Sequence, residues 1–269
     1  MVHAKKSLGQ NFLVDEGVVG RIVQAVAVRS GETILEIGPG LGALTARLVE
    51  RAGRLVAVEF DRDLAAVLRE RFGGSENFEL VEGDALSQDF CALVAPGGQA
   101  RVVANLPYYI STAILQRLIE QRRCLSEMVL MLQREVVERI TAPPGGSERG
   151  FLSVLVEAYC EADKLFDVAP RSFRPAPKIW STVVRLRVRP GIPVEVKDEA
   201  LLWQLASAGF AQRRKTIFNN LRASTAALRS RIEQSGGANA ALATASIEPQ
   251  RRAETLTLQE WARLANAIQ

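Results

Sequence analysis

The sequence predicts an α/β protein: a mainly parallel sheet covered by helices on both faces, followed by a small all-helical lobe. Three observations carry this expectation. Short apolar runs alternate with segments of helical apolar spacing from Thr33 to Ile140. Several of the runs end on a polar side chain followed by a turn. Beyond a Pro190–Pro193 hinge the strand pattern stops, and the remaining segments read as helices.

Taken in order, His3 to Asp15 is an arm in which the amides of Gln10 and Asn11 stand beside Phe12 and Leu13, a group able to close over a bound nucleoside. Asp15 caps a helix from Glu16 to Ala27. Thr33–Ile37, Leu55–Glu59, Phe78–Ala85, Arg101–Ala104 and Glu127–Leu132 are the strands of the alternating region. Helices fall over Leu41–Arg51, Asp63–Phe72, from Ser111 or Thr112 to Gln121, and from the end of the fifth strand to Ile140. Ala142–Arg149, with its prolines and glycines, predicts a mobile loop, and Phe151–Tyr159 a helix. Lys164–Val168 and Thr182–Val188 are the closing strands; little helix separates them, which predicts an antiparallel edge. After the hinge come helices at Leu201–Phe210, Thr216–Leu228 and Leu258–Ile268, the last capped by Thr257 with Glu260 three residues on. Residues 1–192 are thus expected to form a catalytic domain with its arm, and residues 193–269 a helical domain.

The chain has 269 residues with 34 Lys and Arg against 30 Asp and Glu, a formal charge of +4. The excess is clustered. No acid falls between Arg171 and Arg189 or between Ala211 and Arg231. Arg171, Arg174, Lys178, Arg213, Arg214, Lys215 and Arg222 lie in these stretches, the footprint expected for a phosphate backbone. Cys91, Cys124 and Cys160 are far apart and suggest neither a metal site nor a disulfide framework, so a reducing compartment is expected. His3 adds no metal site. The basic start is followed by no long apolar segment, which predicts neither export nor membrane insertion.

The most informative stretch is Thr33-Ile34-Leu35-Glu36-Ile37-Gly38-Pro39-Gly40-Leu41-Gly42, a strand running into a glycine turn. Glycine admits positive φ and holds no side chain between ligand and backbone. A carboxylate at Glu36 repels a pyrophosphate and suits a cationic amine or sulfonium. The third glycine comes one place earlier than in the nicotinamide fingerprint. Glu59, ending the second strand, can hold the ribose hydroxyls of either cofactor class. Together these features favour S-adenosylmethionine. Asp84 and the Ala85 backbone are placed to read an adenine ring.

Asn105-Leu106-Pro107-Tyr108 is the second anchor. The Asn105 side-chain oxygen and the Leu106 carbonyl can both accept hydrogens from one exocyclic amine, Pro107 keeps Leu106 extended, and Tyr108 can stack on the base. An adenine N6 is a poor nucleophile because its lone pair is delocalised into the ring. Two acceptors that draw its hydrogens out of the ring plane localise that pair for attack on a methyl group. Phe173, in a proline-stiffened loop, is a candidate second stacking ring. The target base has to be unpaired or flipped, as in RNA loops.

With these residues in view, the chain resembles the bacterial small-subunit ribosomal RNA adenine dimethyltransferases over nearly its whole length. The resemblance rests on Gly9-Gln10-Asn11-Phe12-Leu13, Glu36–Gly42, Gly83-Asp84-Ala85, Asn105–Tyr108, Ser172–Lys178, Gln212–Thr216 and Arg252–Leu256. It implies a Rossmann-like class I methyltransferase fold with an added helical domain. It implies transfer of two methyls to N6 of each of two adjacent adenosines in a hairpin loop near the 3′ end of 16S ribosomal RNA, using four S-adenosylmethionines and no metal. Asn11, Leu13, Glu36, Gly38, Gly40, Glu59, Asp84, Ala85 and Asn105 would line the donor site. The implied setting is cytoplasmic: a monomer acting on the immature small subunit as a late assembly checkpoint, with loss linked to kasugamycin resistance. Two positions depart from the pattern: Tyr109 stands where many members have asparagine, and Trp180 where an acid is common.

Three alternatives remain at this point. One is a large-subunit ribosomal RNA adenine methyltransferase of the macrolide-resistance type. Another is a ribosome assembly factor whose catalysis is dispensable. The third, a nicotinamide dehydrogenase, is disfavoured by Glu36.

Overall fold

A computed structural model describes residue 5, residues 9–96 and residues 98–268. The start of the expected arm, including His3, lies outside the described residues. The chain divides into two compact units, Met1–Val137 with Glu161–Val188, and Glu138–Cys160 with Arg189–Gln269. The sequence boundary after residue 192 therefore differs from the one seen: Glu138–Cys160 belongs with the C-terminal helices, because Arg149 and the helix after it pack there.

The first unit is built on a seven-stranded sheet. Its strands are β2 (Thr33–Ile37), β3 (Arg54–Glu59), β4 (Phe78–Glu82), β5 (Ala100–Asn105), β6 (Leu125–Gln133), β7 (Cys160–Val168) and β9 (Ser181–Val188), in the order β4-β3-β2-β5-β6-β9-β7. The five strands from β4 to β6 are parallel, and β9 runs antiparallel to β6. Both faces of β2 are buried, which is why it reads as a continuous apolar run rather than an alternating one. Helices α1 (Glu16–Val26), α2 (Thr45–Leu48), α3 (Arg62–Phe72), α4 (Phe90–Val94) and α5 (Ser111–Glu120) intervene between the strands, and α6 (Arg134–Ile140) follows β6. The Asp15 side chain accepts from the Gly17 and Val18 amides and begins α1 as expected. The helix expected over Leu41–Arg51 is cut to the four residues of α2, since the glycine turn runs on to Leu44. The five-residue α4 was not foreseen.

A second, two-stranded sheet pairs β1 (Phe12–Leu13) with β8 (Phe173–Arg174), residues 160 positions apart in sequence. Val14 N–H donates to the Ser172 carbonyl (2.9 Å), and the Ser172 hydroxyl donates to Asp15 (2.8 Å). These bonds fasten the arm to the loop before β9.

The expectation about the cysteines is corrected here. Cys91 and Cys124 form a disulfide, with Cα atoms 5.3 Å apart across 33 residues. The start of α4 and the turn after α5 meet in space, which spacing along the chain does not reveal. The cysteines therefore no longer argue for a reducing compartment. Cys160 is buried and takes no part in a disulfide. No helix among the described residues is long and apolar enough to cross a membrane.

The second unit contains α7 (Phe151–Tyr159), α8 (Glu199–Gly209), α9 (Ile217–Arg222), α10 (Ala226–Gln234), α11 (Gly237–Thr244) and α12 (Leu258–Asn266). Its core holds the fully buried Trp261 with Leu202, Leu205, Ile217, Leu221 and Leu242. The helix expected over Thr216–Leu228 breaks in two because Thr225 accepts from the Leu228 amide and caps a new start. The 142–149 segment is not loose. The buried Arg149 guanidinium donates to Glu157 (2.6 Å) and to the carbonyls of Ala142 (3.0 Å) and Leu256 (3.3 Å). A buried cation with a carboxylate and two carbonyls around it is an expensive anchor to break.

Candidate active site

Where the parallel strands end, one pocket gathers Asn11, Leu13, Glu36, Gly38, Gly40, Glu59, Asp84, Ala85, Asn105, Leu106, Pro107 and Tyr108. The strand order explains this meeting. β2 has β3 on one side and β5 on the other, and a sheet whose connections diverge from its middle opens a crevice beyond the strand ends. Asp84, Glu59, Gly38 and Asn105 belong to four adjacent strand ends. At about 4.8 Å between strands, that row is about 14 Å long.

The glycine turn is shaped by its neighbours. Gly40 has φ +61°, and a Cβ there would lie 3.3 Å from the Phe12 ring on the arm. Gly42 has φ +83°, and a Cβ there would come within 2.6 Å of Phe72. A side chain at either place would lift the turn off its support.

Two carboxyl groups sit beneath this turn. Glu36 is 1% exposed, and the Thr45 hydroxyl donates to it at 2.8 Å. Burial pushes its carboxyl up to about 8; the Thr45 hydrogen bond pulls the other way, while the charge of Glu59 raises it further. Glu59 is also raised by burial, against the amides of Asp61 (2.9 Å) and Gly40 (3.1 Å) that donate to its two oxygens. Both acids are buried at a pocket wall, and among the described residues no cation is a hydrogen-bond partner of either. Asp84 accepts from the Leu86 amide (2.9 Å), which orients its carboxylate.

The arm sets the side chain of Asn105. The Asn105 amide nitrogen donates to the Asn11 carbonyl (3.2 Å), so its oxygen points the other way. Asn11 in turn donates to the Gly9 carbonyl (3.1 Å). Gln10 is a tether: it donates to Asp61 (2.9 Å) and accepts from the Lys5 amide (2.8 Å). The Lys5 ammonium pairs with Asp61 (2.6 Å) and Asp63 (2.7 Å) at the start of α3. The Tyr108 hydroxyl shares a hydrogen bond with Ser181 (2.6 Å), and burial pushes the phenol's pKa up, against that bond.

Phe173 is the exception among the expected residues. Its ring is fully buried, packed in a cluster with Leu13, Val18, Val129, Met131 and Val183, and it is not part of the pocket wall. Pairing of β8 with β1 turns it inward, so it offers no face to a base. Phe60, by contrast, lines the pocket with its side chain 59% exposed. An aromatic residue directly after the strand-end acid was the available signal, and sequence reasoning passed over it. Tyr109 is also in the wall and exposed.

The cationic stretches divide in space. Arg171, Arg174 and Lys178 are exposed in the first unit, and Arg213, Arg214, Lys215 and Arg222 in the second. Arg185 and Arg187 are drawn to Glu127, and Arg187 also pairs with Asp163 (2.7 Å). Their run lacks acids along the chain but not across the sheet.

Comparison with known proteins decides what this pocket belongs to. The profile of ribosomal RNA adenine dimethylases matches residues 1–269. The chain belongs to the ribosomal RNA adenine dimethylase family. It is 42% identical to ribosomal RNA small subunit methyltransferase A of Hahella chejuensis, over 98% of this chain and 93% of that one. The protein of the same name from Moorella thermoacetica is 45% identical over 98% and 92%. Among solved structures, a dimethyladenosine transferase from Plasmodium falciparum superposes with TM-score 0.77 at 25% identity, covering 94% of this chain and 95% of that one. The 23S rRNA methyltransferase ErmE gives TM-score 0.71 at 27% identity, covering 96% and 99%.

As a ribosomal RNA adenine dimethylase, the chain is a methyltransferase of ribosomal RNA adenine N6 that uses S-adenosylmethionine. The pocket fits that donor on three counts. Its row of polar strand ends is long enough for a nucleoside with an amino-acid arm. The turn brings backbone close to whatever lies there. Among the described residues no cation offsets the buried Glu36 and Glu59, and the donor carries positive charge. Among the described residues no cluster of three or more His, Cys, Asp or Glu is placed to hold a metal ion.

Proposed function

We propose that this enzyme dimethylates N6 of two adjacent adenosines in the 3′-terminal hairpin loop of 16S ribosomal RNA, as a cytoplasmic monomer acting late in small-subunit assembly. The observation that carries the chemistry is the Asn105 carboxamide. With its nitrogen committed to the arm, its oxygen is the acceptor left for a substrate amine. The name shared by the bacterial relatives, at 42% and 45% identity over nearly the full length, supports the small subunit as target.

In this reading Glu59 holds the donor's ribose, Asp84 and Ala85 its adenine, and Gly38, Gly40, Asn11 and Leu13 enclose it, with Phe60 against the base. Glu36 faces the charged amino-acid end. The bound donor supplies an electrophilic methyl on a sulfonium. Asn105 Oδ1 and the Leu106 carbonyl accept the two N6 hydrogens of the target adenine, Pro107 holds Leu106 in place, and the Tyr108 ring stacks on the base. The N6 lone pair would thereby be aimed at the methyl carbon; as the N–C bond formed, the C–S bond would break with its electron pair staying on sulfur, and the surplus proton on nitrogen would pass to water. Positioning is the main catalytic contribution.

Arg171, Arg174, Lys178 and the exposed cations of the second unit would hold the RNA backbone. Reversing the charge of Arg213, Arg214 and Lys215 together is expected to weaken RNA binding and flatten its salt dependence by about two units of log–log slope. Equal slopes for variant and parent would remove that cluster from the interface.

The deciding experiment supplies purified, unmethylated small and large subunits with labelled donor and maps the modified nucleotides by mass spectrometry. Label on two adjacent adenosines of the small subunit is the expected result. Likeness to ErmE over 96% of the chain favours one second reading, a large-subunit target. Label confined to 23S RNA would establish it. A protein without transfer activity on either subunit would instead be an assembly factor.

A further inference from the structure

Among the described residues, five large apolar side chains are exposed: Val14, Phe60, Tyr109, Ile179 and Trp180. Phe60 and Tyr109 belong to the pocket wall already described, and Val14 adjoins the arm's short strand. Ile179 and Trp180 are adjacent and outside that wall. Trp180 is 48% exposed, whereas Trp261 is fully buried and Trp203 packs on Phe151 and Tyr159. An exposed indole offers a broad apolar face with a polar N–H, the kind of side chain that recognition surfaces use.

Its backbone is held firmly. The Trp180 carbonyl accepts from the Arg134 amide at 3.0 Å. The next residue, Ser181, opens β9 opposite Gln133 and is fully buried. The Ser181 hydroxyl meets the Tyr108 hydroxyl at 2.6 Å. Consecutive Cα atoms are about 3.8 Å apart, so the indole is rooted one residue from the group that holds the Tyr108 ring. Arg174 and Lys178, both exposed, precede it in a stretch without acids.

We propose that Trp180 is a stacking platform for an unpaired nucleobase that flanks the target adenosine. This deepens the reading of the pocket as an RNA methylation site and rests on it. A base drawn into the pocket leaves its neighbour unstacked, and an exposed indole one residue from Ser181 gives that neighbour a surface to stack on. Arg174 and Lys178 then lie toward the phosphates of the same strand. Flat aromatic faces accept any base, so the residue holds the loop strand in place without reading its sequence.

Loss of one stacked base from an aromatic partner weakens RNA binding by about 5- to 100-fold. Trp180→Ala is therefore expected to raise KM for unmethylated small subunits within that range while kcat and donor affinity stay within about two-fold. Trp180→Phe should restore most of the KM. The same site can be read directly. Adding an RNA oligonucleotide of the target loop should quench tryptophan fluorescence in the parent and not in Trp180→Phe, whose binding is followed separately by anisotropy of a labelled oligonucleotide.

An unchanged KM in Trp180→Ala, or equal quenching in parent and Trp180→Phe, would overturn the proposal. So would weakened binding to whole subunits with no change for the loop oligonucleotide, since the ring would then dock on a ribosomal protein. Quenching by the oligonucleotide is independent of where methyl groups end up. A failure of the small-subunit assignment therefore shows in the labelling experiment, and a failure of the stacking platform shows here.

Discussion

Asn105→Ala is expected to lower kcat for methyl transfer by about 10²- to 10³-fold, the scale seen when one preorganised polar contact to a reacting centre is lost. Donor affinity should change by only a few-fold, because among the described residues the side chain's hydrogen bond goes to the arm's Asn11 carbonyl. Asn105→Asp separates the two jobs of the residue. A carboxylate still accepts from the target amine, but it cannot donate to the Asn11 carbonyl and repels it. The arm should then lift and donor binding should fall along with turnover. Single-turnover transfer at saturating donor and RNA, with donor affinity from calorimetry, reads both effects. Undiminished kcat in Asn105→Ala would remove the carboxamide from the chemistry.

The second large effect concerns Glu36 and pH. Burial pushes its folded carboxyl up to about 8, whereas an ordinary glutamate titrates at 4.5. Between those values the folded protein keeps a proton that the unfolded chain releases. Stability of the ligand-free parent should fall as pH rises through this window and level off above it. Glu36→Gln keeps the shape and cannot ionise, so it escapes that loss. The stability advantage of the variant over the parent should grow from pH 5 to pH 8, approaching about 4 kcal/mol. Glu59 is present in both proteins, so its own titration largely cancels in the difference. Thermal melts of the pair across this range provide the measurement. A gap that stays constant with pH would show that Glu36 ionises normally. Because the donor is cationic, saturating S-adenosylmethionine should shrink the gap at pH 8 by stabilising the ionised carboxylate.

Much of the pocket was legible before folding was considered. Strands of five or six residues, ending at or beside Glu36, Glu59, Asp84 and Asn105, carry their identity in a local pattern. Parallel α/β connectivity then brings such ends to one edge. The glycine turn is likewise a local requirement, set by positive φ and by closeness to Phe12 and Phe72. Boundaries were less legible where side chains compete for the backbone. Thr225 cuts one expected helix into two, and the turn before α2 consumes residues that read as helical.

The sequence by itself determined the sheet, its polar strand ends and the acceptor motif after β5, because each depends on residues close together in the chain. Only the tertiary structure decided which side chains face one another from afar. Pairing of Phe12–Leu13 with Phe173–Arg174 buries the ring that seemed free to stack, and the same arm turns the Asn105 oxygen away from Asn11. Glu127 and Asp163 neutralise arginines from a run that lacks acids, and Cys91 meets Cys124. The reason is physical: hydrophobic periodicity and turn chemistry act over a few residues. Burial, charge pairing and cross-linking depend on distances that exist only once the sheet and its helices have packed.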